Sequence, residues 1–97
     1  MAQFELSIYG EGDEVLKKYA TDKVRWGVYL EAAKLNEEMK DMEAAEQFAV
    51  INTFMSKIFP ALTDDELELA DADDVMNTFK QLIRKANKIA GGNSKNA

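Results

Sequence analysis

The chain holds one proline, Pro60, and a complete helix-start code follows it at once. Thr63, Asp64, Asp65 and Glu66 form a capping box: the Thr63 hydroxyl can accept from the Glu66 amide, and the Glu66 carboxylate can reach back to the Thr63 amide. Leu62 and Leu67 fall at the two positions of a hydrophobic staple. Asp64 and Asp65 suit the positive end of the new helix dipole. One helix must therefore stop near Pro60 and a short one must start at Thr63. Seven carboxylates lie between Asp64 and Asp74 with no basic residue among them. Whatever the chain builds before and after this hinge must be two separate sets of elements.

Before the hinge, residues 3–9 alternate strictly. Phe4, Leu6 and Ile8 point one way; Gln3, Glu5, Ser7 and Tyr9 point the other, which predicts a half-buried strand. Gly10, Glu11, Gly12 and Asp13 form a turn, where two glycines can take positive φ without cost. Residues 14–20 read either as a second strand, with Val15, Lys17 and Tyr19 on one face, or as a helical turn capped by Asp13; the hairpin is the preferred reading. Thr21 or Asp22 is expected to cap a first long helix running to about Lys40. That helix has two apolar stripes. Val24, Val28, Ala32, Leu35 and Met39 form one; Trp26, Tyr29, Leu30 and Ala33 form the other. Gly27 inside it is unfavourable by about 1 kcal/mol against alanine, which suggests close packing there. A second helix, from about Glu43 to Phe59, has an apolar arc that includes Val50 and Phe54 at its far edge.

After the hinge, Asp71 is placed to cap a last helix, with Asp73 and Asp74 in its first turn. Val75, Met76, Phe79, Leu82, Ile83, Ala86 and Ile89 make its apolar stripe. Lys80, Arg84, Lys85 and Lys88 stand outside the stripe, toward the negative end of the dipole. Gly91 and Gly92 should end the helix. The expected architecture is mainly α: a compact helical domain of three to four helices with a short N-terminal strand or hairpin at about residues 3–20. It occupies residues 1–90 of the 97 and leaves 91–97 as a disordered tail.

The residue types narrow the chemistry. There is no cysteine, so there is no disulfide or thiolate site, and no histidine, the commonest general base and transition-metal ligand. A net charge of −6 disfavours nucleic acid, whose phosphates would be repelled. No stretch approaches the roughly 20 apolar residues of a membrane span, and the N-terminus lacks a basic leader. A cytoplasmic protein without cofactor is expected. The acids at 64–74 are the only candidate cluster for a hard cation. Asp71, Asp73 and Asp74 resemble the start of a calcium loop, but the required glycine and the terminal glutamate are missing. Capping and dipole matching account for most of these positions without a metal. A carboxylate- or lysine-dependent enzyme would need a cleft that gathers such groups, and the spacing offers none.

The apolar excess is the more informative feature. A helix with two opposed stripes must be covered on both sides or offer one side to a partner. The candidate partner-binding residues are therefore Trp26, Tyr29, Leu30, Val50 and Phe54. The competing reading is that the N-terminal hairpin folds over them and makes them core.

These elements resemble the tail assembly chaperones of long-tailed phages and prophages of Gram-positive bacteria. The resemblance rests on the strand Phe4, Glu5, Leu6, Ser7, Ile8, Tyr9 before Gly10, and on Val24, Arg25, Trp26 and Gly27 opening a helix. It continues through residues 59–67 with the capping box, Asp71 to Asp74, and the closing helix with Phe79, Lys80, Gln81, Leu82 and Ile83. It spans about residues 3–90. Membership implies a small, mainly helical, non-catalytic cytoplasmic protein. Such a chaperone binds the tape measure protein, keeps it soluble while the tail tube forms, and is absent from the mature virion. The tail tube protein is a further possible partner, as is a second copy of the chain; no nucleic acid, membrane or cofactor is implied. Many members also have a longer frameshifted product, for which the region after Gly92 is a plausible junction. The competing function is an acidic helical interaction module, such as an antitoxin-like or DNA-mimic inhibitor.

Overall fold

The computed structural model describes residues 3–91. Of the expected tail at 91–97, Gly91 instead ends the last helix, and 92–97 lie outside the described residues. The chain runs through two strands, β1 (Phe4–Tyr9) and β2 (Val15–Thr21), and four helices, α1 (Trp26–Glu38), α2 (Ala44–Ile58), α3 (Asp64–Glu68) and α4 (Ala72–Gly91). A single 3-10 turn at Met39–Asp41 joins α1 to α2. The fold is mainly α with an N-terminal antiparallel hairpin. No helix among the described residues is long and apolar enough to cross a membrane.

The period-2 reading of β1 holds. Phe4, Leu6 and Ile8 are buried while the residues between them are half-buried. Residues 15–21 are strand rather than helix, paired as Phe4 with Thr21, Leu6 with Tyr19 and Ile8 with Lys17. The register then slips: Tyr9 pairs with Val15 and Leu16 is skipped. This bulge separates Val15 from the face shared by Lys17 and Tyr19, correcting the expected three-residue face, since one extra residue reverses the alternation. The expected turn forms, but it does not use the freedom of its glycines. Neither glycine has positive φ; Asp13 does, at φ 64°. The Asp13 amide donates to the Gly10 carbonyl at 3.0 Å and the Gly10 amide to the Glu14 carbonyl at 2.8 Å. This is the three-residue hairpin loop that ends in one left-handed residue, and aspartate is among the few side chains that tolerate that conformation.

The first helix begins later than the sequence suggests. Thr21 completes the strand ladder against Phe4. Its hydroxyl accepts from the Lys23 amide at 3.0 Å, and the Asp22 carboxylate accepts from the Gln3 amide. Both supposed caps are thus committed to the hairpin's base, and α1 starts at Trp26 behind an extended Arg25 with no side-chain cap. Gly27 is another correction. A Cβ built there meets nothing within 4 Å, so close packing is not why glycine stands at this position.

The hinge forms as the code requires. Glu66 N–H donates to the Thr63 hydroxyl at 3.1 Å, and Thr63 N–H donates to Glu66 Oε1 at 3.1 Å. Leu62 is buried and Leu67 packs against the core. At α4, the Asp74 amide donates to Asp71 Oδ2 at 2.9 Å, the expected cap.

One core unites the elements. It includes Phe4, Leu6 and Ile8 from β1, Val28 and Ala32 from α1, Ile51, Met55 and Ile58 from α2, and Phe79, Leu82 and Ala86 from α4. α4 is the common support, lying against α1, α2 and β1. Its first turns also finish the sheet. Ala70 bridges Ile8, with the Tyr9 amide donating to the Leu69 carbonyl and the Asp71 amide donating to the Ser7 carbonyl, both at 2.9 Å. Further along the same edge, the Ser7 amide donates to Asp74 Oδ2 at 2.9 Å and the Thr78 hydroxyl donates to the Glu5 carbonyl at 3.0 Å. Asp74 and Thr78, one helical turn apart, thus stand in for a third strand. An open sheet edge is a template for aggregation, and here one edge of β1 holds β2 while the hinge and α4 cover the other.

Candidate partner-binding surface

The five candidate residues separate into three environments. Trp26 and Leu30 stand out from α1, 60% and 53% exposed. They are four residues apart and so share one stripe. Val50 is half-buried at the margin of the core. Tyr29 and Phe54 are inside it, 7% and 0% exposed, and they are withdrawn from the surface.

Geometry explains both corrections. At 100° per residue Tyr29 lies only about 60° from Ala32, so it falls within the arc that α1 turns inward. Lys85 Nζ closes over the outer side of its ring, 5.5 Å from the centroid. Phe54 sits between Ile51 and Ile58 on α2, which lies against both α1 and α4. Two neighbours use the wide apolar arc, and Phe54 meets Phe79 of α4 with ring centroids 5.9 Å apart. The hairpin covers neither Trp26 nor Leu30. Its buried face, from Phe4 to Ile8, joins the core, and Tyr19 packs on Phe59 at 5.8 Å.

Among the described residues, the exposed large apolar side chains beyond the five are Val15, Leu16, Phe48, Leu69, Met76 and Ile89. Val15 and Leu16 stand at the bulge. Phe48 belongs to the apolar arc of α2, but lies toward its N-terminal end and is 62% exposed.

The acidic hinge is occupied by structure. Glu66 closes the capping box, accepts from the Tyr19 hydroxyl at 2.5 Å and pairs with Lys17 at 3.3 Å. The Tyr19 hydroxyl, then the Thr63 amide, lower its pKa to about 2. Asp71 caps α4, and a hydrogen bond from Tyr9 to its carboxylate raises the Tyr9 phenol above its ordinary value. Asp74 holds the Ser7 amide. Among the described residues no three His, Cys, Asp or Glu side chains gather as a metal site would require. Capping was legible in the sequence; the sheet-edge bonds of Asp74 and Thr78 were not. Their one sequence signal is a threonine inside the apolar stripe between Val75 and Leu82.

No protein-family model, curated protein or solved structure matches this chain.

Proposed function

We propose that this protein is a phage tail assembly chaperone, a non-catalytic binding protein that keeps the tape measure protein soluble while the tail tube forms. The reading rests on the resemblance of its elements to that family. The observation that carries it is the Trp26 and Leu30 pair, left outside a core that is already complete without them. An amphipathic partner helix is recognised through apolar anchors on such a face. Tryptophan is among the residues most enriched where binding energy concentrates. The net charge of −6 helps keep a complex with an aggregation-prone partner in solution. In this reading the chaperone works in the host cytoplasm and leaves before the virion is complete.

Co-expression with a candidate tape measure protein tests the proposal. The wild-type chain should hold that protein in the soluble fraction and co-purify with it. Trp26→Ser with Leu30→Ser should fold normally and lose the capture. A tape measure protein that stays insoluble, or one captured equally by the double variant, overturns the corresponding part of the proposal.

A further inference from the structure

All eighteen acidic side chains of this chain stand at or before Asp74, whereas four of its twelve lysines and arginines fall between Lys80 and Lys88. Beyond its first turn, the last helix is basic in an acidic protein. Three of those cations converge on a cleft of about 580 Å³ beside α4, lined by Gln3, Gln81, Arg84, Lys85, Lys88 and Ile89. Gln81, Arg84, Lys85 and Lys88 are spaced i, i+3, i+4 and i+7, so they share one face of the helix. No carboxylate and no aromatic ring is among the lining residues.

Lys85 is the informative member. Its ammonium donates to Gln3 Oε1 at 3.1 Å and lies over the Tyr29 ring, 5.5 Å from the centroid. Both partners are neutral, so the ammonium is held in position while its charge stays uncompensated. None of Arg84, Lys85 and Lys88 is within ion-pair distance of a carboxylate among the described residues. The dipole of α4 accounts for Lys88, in the last turn, but Arg84 and Lys85 stand before that turn. Arg84 and Lys88, four residues apart, repel each other. A bound anion offsets that repulsion.

We infer that this cleft binds a small phosphate-bearing molecule through a diphosphate group. Three cations call for more than the single charge of a carboxylate, and each phosphate brings about two charges with several acceptor oxygens. The arginine fork matches phosphate oxygens in pairs, and lysine binds them as a point charge. With its oxygen taken by Lys85, the Gln3 carboxamide keeps its N–H groups for a further oxygen. The cleft lies within the size range of small-ligand sites. Ile89 and the methylene stems of the cations offer an apolar wall to the rest of such a molecule. Nucleic acid fits less well. The face from Gln81 to Lys88 is only about 10 Å long, its lining has no ring on which a base could stack, and the carboxylates of the rest of the chain repel a long polyanion. Neither Trp26 nor Leu30 lines the cleft, so the inference stands apart from the proposed function.

Calorimetric titration of the whole chain with pyrophosphate, in a buffer free of phosphate and divalent ions, tests it. Pyrophosphate should bind one per chain with a dissociation constant below about 1 mM, about tenfold or more tighter than inorganic phosphate, and weaken as salt rises. ATP, which carries the same group on an organic body, should bind at least as tightly. Amide shifts during the titration should centre on Gln3 and residues 81–89. Arg84→Gln with Lys88→Gln should weaken binding about tenfold or more without moving the thermal melt; Lys88→Gln alone serves if that pair fails to fold. Lys34→Gln with Lys40→Gln removes the same charge elsewhere and should leave binding nearly unchanged. No saturable binding by about 10 mM pyrophosphate overturns the inference, as does an equal effect of the two double variants. Inorganic phosphate that binds as tightly as pyrophosphate overturns the diphosphate assignment. ATP that binds more weakly overturns the organic body. A single-stranded oligonucleotide that binds more tightly than both overturns the small ligand, because a polymer is then the better match.

Discussion

The Tyr19 hydroxyl donates to the Glu66 carboxylate at 2.5 Å, tying β2 to the first turn of α3 across 47 residues of sequence. The same carboxylate closes the capping box and meets Lys17. One side chain thus holds both the start of a helix and the side of the hairpin. Because these bonds favour the ionised form, Glu66 titrates near pH 2, below an ordinary carboxylate. Its contribution to stability is complete above the ordinary carboxylate range and is lost as pH falls toward about 2. Urea denaturation of the wild type and Glu66→Gln should therefore show a clear gap at neutral pH that narrows steadily through the acid range. A gap independent of pH would mean that the carboxylate's charge is not what the site uses.

Removing the other half of the capping box isolates the helix start. Thr63→Ala should lower stability by about 1 kcal/mol, the usual loss for an N-cap hydroxyl. An unchanged denaturation midpoint would show that α3 does not need its cap.

The covered edge of β1 gives a sharper test. Thr78→Val keeps the shape and removes the donor to the Glu5 carbonyl, and should cost about 1–2 kcal/mol. Asp74→Ala leaves the Ser7 amide without its acceptor. Amide exchange at Ser7 should accelerate in that variant while the amides that pair β1 with β2 change much less. Uniform acceleration across the hairpin would mean that the two bonds are not a local edge seal.

Surface and core separate by stability. Tyr29→Ser or Phe54→Ser should destabilise the domain by about 3–5 kcal/mol, as large-to-small core changes do, and either one can unfold so small a domain. Trp26→Ser and Leu30→Ser should stay within about 0.5 kcal/mol of wild type. Circular dichroism melts distinguish the two classes directly.

Gly27→Ala is expected to stabilise. The added Cβ meets open space and the backbone is not left-handed. The gain should be about 0.4–1 kcal/mol, chiefly from a less flexible unfolded chain. A lower melting temperature would mean that the added Cβ is not in open space and that close packing does call for glycine there.

Features governed by neighbours in sequence were legible beforehand. The alternation from Phe4 to Tyr9, the capping box at Thr63 and the Asp71 cap each need only a few adjacent residues to specify them. The misplaced start of α1 has a different origin. Thr21 and Asp22 are good caps, but the hairpin reaches them first, through the pairing of Thr21 with Phe4 and the bond from the Gln3 amide to Asp22, which local code does not announce. The side of α1 to which Tyr29 belongs was decided by α4, whose Lys85 covers the ring. The candidate surface was legible only as an excess of apolar stripe. Which part of that excess remains outside, Trp26 and Leu30 rather than Tyr29 and Phe54, depended on the number of neighbours each helix acquired.

The bonds from Asp74 and Thr78 to the backbone of Ser7 and Glu5 span 67 and 73 residues. Closing so long a loop carries an entropic cost that local contacts do not. During synthesis the hairpin leaves the ribosome long before the helix that seals its edge. The first strand must therefore wait, half-finished and able to pair with other chains, until nearly the whole domain has emerged. The quality of the last helix thus decides how safely the first strand is made.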